Sequence, residues 1–349
     1  MNHRNSPNIT IILKMSKVAV FSSKPYWVEW FNKVNKSGIS FTFFDMALCK
    51  ISAKTTKGFD AVCCFVNDKL DKEVLEELKN CGIKLVLLRC AGMNTLDNQA
   101  AKDFGITVLR VPSYSPYAVA EFTLALILGL NRKTHKAYNR TREGNFEISG
   151  LLGFDMKSKT VGVVGTGKIG LEVCRILRGF QCNIIAYDVI QNKEALELGV
   201  KYVTLDEIWK TSDVITLHTP LLKETKYLIC ENSINQMKKG VMLINVSRGA
   251  LINSKDVIQG LKTGHIGYLG IDVYEEESNY FFEDFSANGI QDDVLSRLTS
   301  FPNVMVTSHQ AWYTMEAISE ICNVTINNLL DFQTNNLKST NIVIPPPSS

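Results

Sequence analysis

The chain has 349 residues, 45% hydrophobic and 21% charged, with 38 basic against 35 acidic side chains and a formal net charge of +3. That length allows two ordinary domains with ample core, and so even a charge balance gives no reason to expect nucleic acid or a membrane surface as partner. Nine cysteines, scattered without metal-ligand spacing, are expected as buried thiols of a reducing, cytoplasmic compartment, not as a disulfide frame or a zinc site.

The first fourteen residues, "MNHRNSPNITIILK", have an apolar run too short for a secretory signal and are expected to form a disordered extension, with Met15 as a natural start. From Lys17 strand and helix patterns alternate. "KVAVFS", "ISFTFF", "FDAVCCFV", "IKLVLLR" and "ITVLRVP" read as strands. Helices are predicted over 25–36, over the amphipathic stretch Asp68 to Asn80 with Asp71 placed to cap, and from Asn94 to Asp103. Such alternation means a parallel sheet covered on both faces.

Residues 117–142 are predicted as one long helix. Its first half is apolar all round, as in a buried connector, but it contains Glu121 and is too short to cross a bilayer. Its second half, "NRKTHKAYNRTR", is basic and is read as a solvated face or an interface arm.

A second alternating series starts at Thr160. Its strands are "TVGVVG", "NIIAYD", "KYV", "DVITLH", "GVMLINV", "GYLGIDV" and "NVMVTSH". A helix is predicted over Ile169 to Leu177. Beyond His309, residues Ile318, Ile321, Cys322, Thr325 and Leu329 share one helical face. The closing "IPPPSS" is expected to be unstructured.

Gly165, Gly167 and Gly170 fit G-x-G-x-x-G between a strand and a helix. The first glycine permits a tight turn, the second lets backbone approach a diphosphate, and the third lets helix and strand pack closely. The helix N-terminus adds free N–H groups and partial positive charge. Asp188, closing the next strand, is placed to accept both adenosine-ribose hydroxyls and to repel a 2′-phosphate, which predicts NAD over NADP.

Ligands of open α/β sheets sit beyond the C-terminal strand ends. There the sequence places Arg248 in "LINVSRG", Asp272 and a run of acids in "IDVYEEE", and His309 in "VMVTSHQ". The first series ends strands near Arg89, Ala91 and Gly92 and near Tyr114. Histidine can give and take a proton near neutral pH. A guanidinium can clamp a carboxylate and polarise a carbonyl. An acid, an imidazole and a guanidinium on one rim therefore suit reversible hydride chemistry. His3, His135 and His265 carry no such signal, and His218 is read as structural or cofactor-adjacent.

"VVGTGKIG", "NVSRGALI", "GIDVYEEES" and "SHQAWYT" resemble the D-isomer-specific 2-hydroxyacid dehydrogenases, and "SNYFFEDFSANGIQDDVLSRL" is similar to their lactate-forming branch. The resemblance implies two doubly wound parallel-sheet α/β domains. A flavodoxin-like substrate domain takes 15–116 plus 311–337, a Rossmann NAD-binding domain is inserted at 117–310, and 338–349 is a tail. It implies an NAD-dependent enzyme interconverting pyruvate and D-lactate, and a homodimer or a tetramer.

By position, Arg248 would hold the substrate carboxylate and carbonyl, Glu277 would pair with the histidine, and His309 would be the acid/base. Spacing alone does not choose Glu277 over Glu275 or Glu276. Ala91, Gly92 and Tyr114 match carboxylate-binding positions. Lys168, Ile169, Asp188, Thr219, Pro220, Thr225, Val246, Ser247 and Asp272 match cofactor positions, with Arg248 beside them. Trp312, at a substrate-binding position, departs from the branch, where Phe is usual, and is expected either to narrow the substrate pocket or to alter closure. Two alternatives stay open. One is a sibling enzyme acting on a larger 2-keto acid. The other is a non-enzymatic NADH-sensing corepressor, against which the loop 277–286 argues.

Overall fold

A computed structural model describes residues 16–347. The extension 1–14 and the last two residues of the tail therefore lie outside the described residues. The chain forms two units, Met1–Tyr114 with Thr314–Ser349, and Ser115–Tyr313.

The first unit opens with β1 (Lys17–Val20), α1 (Pro25–Val34), β2 (Ser40–Phe43), α2 (Lys50–Ala53) and β3 (Ala61–Cys64). Then come α3 (Lys72–Asn80), β4 (Leu85–Leu88), α4 (Asn98–Asp103) and β5 (Thr107–Arg110). The second unit runs α5 (Pro116–Arg132), α6 (Thr134–Arg142), β6 (Thr160–Val164), α7 (Lys168–Gly179), β7 (Asn183–Tyr187) and α8 (Lys193–Glu197). It continues with β8 (Lys201–Tyr202), α9 (Leu205–Thr211), β9 (Val214–Leu217), α10 (Glu231–Gln236) and β10 (Val241–Asn245). It ends with α11 (Ser254–Lys262), β11 (Ile266–Ile271), α12 (Asp293–Ser300) and β12 (Val304–Val306). The chain then returns to the first unit as α13 (Met315–Gln333) and β13 (Ile342–Ile344).

The first sheet has the order β13-β5-β4-β3-β1-β2, parallel except where β13 pairs antiparallel with β5. Without β13 this is the flavodoxin order. The second sheet, β12-β11-β10-β9-β6-β7-β8, is parallel throughout and carries the Rossmann order with one further strand. Every residue of β3, β4, β9 and β10 is buried, because helices cover both faces of a parallel sheet and leave no polar side. Two separate cores result. One is built on Val62, Val86, Leu75 and Leu78, the other on Leu217, Leu243, Leu269 and Trp209.

Asp71 caps α3 as expected, accepting from the Val74 N–H at 3.0 Å. Ile318, Ile321, Cys322, Thr325 and Leu329 are all buried along α13. Three expectations need correction. The single helix over 117–142 is two helices, because Lys133 adopts a left-handed conformation (φ 49°) that ends α5 and starts α6. The helix expected from Asn94 begins only at Asn98, since Leu96 forms an isolated bridge with Leu70 and Asp97 is the cap. The tail contributes β13, and Ile344 is buried against the first core.

Candidate active site

Arg248, Asp272 and His309 each follow one of three neighbouring parallel strands, β10, β11 and β12, at the same end of the second sheet. Topology thus brings the three segments to one rim. Nδ1 of His309 lies 2.8 Å from Oε1 of Glu277, and both side chains are mostly covered, at 14% and 15% exposure. The other glutamate oxygen accepts the backbone N–H of Tyr274 at 3.0 Å. With Nδ1 engaged, Nε2 is the ring nitrogen left for a reacting group. The neighbouring acids are used otherwise. Glu275 accepts from the Tyr227 hydroxyl and from the Ser254 N–H, and Glu276 is exposed.

His309 has φ +54°, a left-handed conformation uncommon for residues other than glycine. Asp272 holds it there. The backbone carbonyl of Asp272 accepts the His309 N–H at 2.7 Å. Its buried carboxylate accepts from the Thr307 hydroxyl at 2.6 Å, the Gln310 N–H at 2.9 Å and the Ala311 N–H at 2.8 Å. Burial pushes the Asp272 carboxyl above its usual range, and these donors with His309 work against that shift. Trp312, expected in the pocket, is buried and donates its indole N–H to the His309 carbonyl at 2.8 Å. It belongs to the same clamp.

Arg248 is half-buried on extended backbone. The buried amide of Asn245 shapes its turn, donating to the Arg248 carbonyl at 2.8 Å and accepting the Ser247 N–H at 3.1 Å. Gly249 is required next to it, since a Cβ there would lie 2.0 Å from the Tyr274 carbonyl carbon. The arginine turn and the segment leading to Glu277 are thereby packed backbone to backbone. Ser247 bonds the Thr219 carbonyl at 2.6 Å, tying the ends of β9 and β10. Val246 is buried, and Thr225 closes its own loop onto the Pro220 carbonyl at 2.7 Å.

The glycine turn suits a bound diphosphate. Gly167 and Lys168 are exposed, Ile169 is half-buried, and the start of α7 has no side-chain cap. A Cβ on Gly167 would meet nothing within 4 Å, so the backbone there is open to a ligand. A Cβ on Gly170 would lie 1.9 Å from the Gly165 carbonyl oxygen, which enforces the close strand–helix packing. Oδ2 of Asp188 accepts the Thr166 N–H at 2.6 Å, and among the described residues Oδ1 accepts only the Ile190 N–H at 3.3 Å. Nearby, the Thr219 hydroxyl and Nδ1 of His218 are buried without a hydrogen-bond partner among the described residues. Burial lowers the His218 pKa to about 3, so this ring is neutral.

The first unit places Ala91 and Gly92 just past β4 and Tyr114 past β5, all half-buried. Arg89 is not the ion-pair partner an arginine there is commonly taken for. It is fully buried, donates to the Phe21 and Ser22 carbonyls at 2.6 and 2.7 Å, and stands 5.0 Å from the rings of Trp27 and Phe65. His135 is partly buried and His265 bonds the Met237 carbonyl at 2.8 Å, while His3 lies outside the described residues.

Sequence reasoning missed Thr166, whose hydroxyl links Asp188 to the Tyr202 hydroxyl, although it stands inside the fingerprint. It also missed the Tyr274 hydroxyl bond to Asp292 at 2.8 Å, for which the sequence carried no signal. Among the described residues no group of three or more His, Cys, Asp or Glu could hold a metal ion. None of their helices is long and apolar enough to cross a membrane.

The NAD binding domain model of the D-isomer specific 2-hydroxyacid dehydrogenases matches residues 124–311. A putative D-lactate dehydrogenase of Dictyostelium discoideum is 55% identical over 335 residues, covering 95% of this chain and 98% of that protein. Among solved structures, apo D-lactate dehydrogenase from Escherichia coli superposes with a TM-score of 0.86 at 46% identity, covering 94% of this chain and all (100%) of the other. The pyruvate reductase of Chlamydomonas reinhardtii superposes with a TM-score of 0.89 at 42% identity, covering 93% and 98%. With full-length similarity of this degree, two open parallel sheets and a glycine-turn nucleotide site, the chain belongs to the D-isomer specific 2-hydroxyacid dehydrogenase family.

Proposed function

We propose that the chain is an NAD-dependent D-lactate dehydrogenase that reduces pyruvate reversibly, with His309 as acid/base. The observation that carries the reading is the 2.8 Å bond between His309 Nδ1 and Glu277 on the rim that also bears Arg248. It is supported by relatives named for lactate and pyruvate chemistry. A nicotinamide cofactor supplies or removes the hydride when bound. The turn Gly165–Gly170 would hold its diphosphate, Asp188 its ribose, and Thr219, Pro220, Val246 and Asp272 the remainder.

The chain's own residues do the rest. Nε2 of His309 gives its proton to the substrate oxygen during reduction and takes it back during oxidation. Glu277 fixes the ring and offsets the charge of the imidazolium. Arg248 binds carboxylate and carbonyl and stabilises negative charge as it develops on oxygen. Ala91, Gly92 and Tyr114 bind the carboxylate. Nine cysteines scattered without metal-ligand spacing suit a cytoplasmic setting.

Incubation with pyruvate and NADH followed by chiral analysis tests the reading. D-lactate is expected. L-lactate, or no NADH oxidation, would overturn it. Faster reduction of phenylpyruvate or oxaloacetate than of pyruvate would favour a sibling specificity instead.

A further inference from the structure

Arg110 closes β5 beside Ala91 and Gly92, and nothing above uses it. It is half-buried, its Nε is buried without a partner, and it forms no ion pair among the described residues. Its backbone carbonyl is pinned by the Asn328 amide at 2.9 Å, and Asn328 is in turn held by Asn341 at 2.7 Å. The one hydrogen bond its guanidinium makes among them runs from a terminal nitrogen to the carbonyl oxygen of Ala91, at 3.2 Å.

That carbonyl belongs to the peptide whose N–H is Gly92's. In a planar trans peptide the two point in opposite directions. A cation on the oxygen therefore aims the N–H away from Arg110 and polarises it, making it a stronger donor to an anion. The next peptide is also held, because the Cys90 thiol donates to the Gly92 carbonyl at 3.2 Å. The N–H groups of Gly92 and Met93 donate to no acceptor among the described residues. Two adjacent N–H groups, each in a peptide whose carbonyl accepts a donor, are thereby left available to an anion.

We infer that Arg110 is a positioning residue for substrate carboxylate: through the Ala91 carbonyl it orients and strengthens the Gly92 N–H. The inference rests on the carboxylate-binding reading of Ala91 and Gly92. It adds a cation that acts on the substrate class, 2-keto acids, without touching it.

Arg110→Gln, Arg110→Lys and Gly92→Pro test it, each compared with the unmodified enzyme for pyruvate KM, the Ki of oxamate, NADH KM and kcat. Arg110→Gln is expected to raise pyruvate KM and oxamate Ki together, by about tenfold, as for loss of a charge-assisted contact. NADH KM and kcat at saturating pyruvate should stay within about twofold on the same argument, and Arg110→Lys should restore much of the loss. Gly92→Pro, which lacks the N–H, should raise the same two constants.

An effect of Gly92→Pro without one of Arg110→Gln would overturn the role of Arg110 and leave the carboxylate reading standing. No effect of either would overturn both. Equal damage by Gln and Lys, or a fall in kcat and NADH affinity together, would make Arg110 a plain structural residue and overturn the inference.

Discussion

His309 is held in a conformation that costs about 1–2 kcal/mol for an ordinary residue, and the Asp272 carbonyl and carboxylate supply the four bonds that keep it there. Strain retained by so many ties around one ring is what a residue with a fixed chemical task shows. His309→Gln should lower kcat by the ~10²–10⁴ that general acid–base loss brings and leave NADH affinity nearly intact. Normal turnover would remove the residue from its role. His218 makes the opposite case, a ring kept neutral. Its pKa is lowered by burial to about 3 in the folded chain, whereas in the unfolded chain it takes a proton near pH 6.5. The stability this provides is complete above that pH and is lost as pH falls toward the folded value. Denaturant unfolding should therefore show a decline of about 1.4 kcal/mol per pH unit across that window, absent from His218→Gln. Equal slopes in the two proteins would mean the ring is protonated in place. The residues themselves were legible to different depths. A histidine and an arginine at strand ends stand out in the sequence. Glu277 was chosen from three consecutive acids by the resemblance and not by spacing, and the fold gives the physical reason: Glu277 meets His309 while Tyr227 and Ser254 occupy Glu275.

At the scale of the element, strand β6, its glycine turn, helix α7 and strand β7 act as one device. Gly170 allows the helix to approach, and Asp188 braces the turn through the Thr166 N–H while leaving its second oxygen lightly engaged. Asp188→Ala should erode the preference for NADH over NADPH, read as the ratio of kcat/KM values. It should also weaken both, because the turn loses its brace. An unaltered ratio would count against a ribose contact. Strands of this kind were plain in the sequence because parallel sheets bury both faces and leave continuous apolar runs. The break at Lys133 was not, since lysine is an ordinary helix former. The break coincides with ties to distant chain: Lys133 Nζ reaches the Leu152 carbonyl at 2.5 Å, and the Asn131 amide meets the Phe154 backbone at 2.7 and 2.8 Å. Strand β13 was hidden for a similar reason. Three residues before a proline run form a strand only because β5 offers an edge.

For the whole molecule the informative feature is the segment that follows α6. Helix α6 buries no residue, yet its basic side chains are engaged, Arg140 with the carbonyls of Glu147 and Ser149 and Lys136 with that of Pro302. Those bonds hold the stretch 143–152 against the second unit while Phe146, Ile148 and Leu152 stand 77%, 81% and 86% exposed. Three large apolar side chains held outward on a pinned arm are an unfavourable arrangement for an isolated chain, and they mark a face meant to be covered. A second copy of the chain is the partner proposed for it, consistent with the homodimer that the resemblance implies. Burying such side chains contributes about 1.5–3 kcal/mol each, so a double variant, which removes four of them from an interface between two copies, should weaken it by at least about 10⁴-fold. Sedimentation of the double variant Ile148→Asp, Leu152→Asp should accordingly show a smaller species than the unmodified chain at the same concentration. A variant that still sediments as the unmodified chain does would mean that the arm is not the contact.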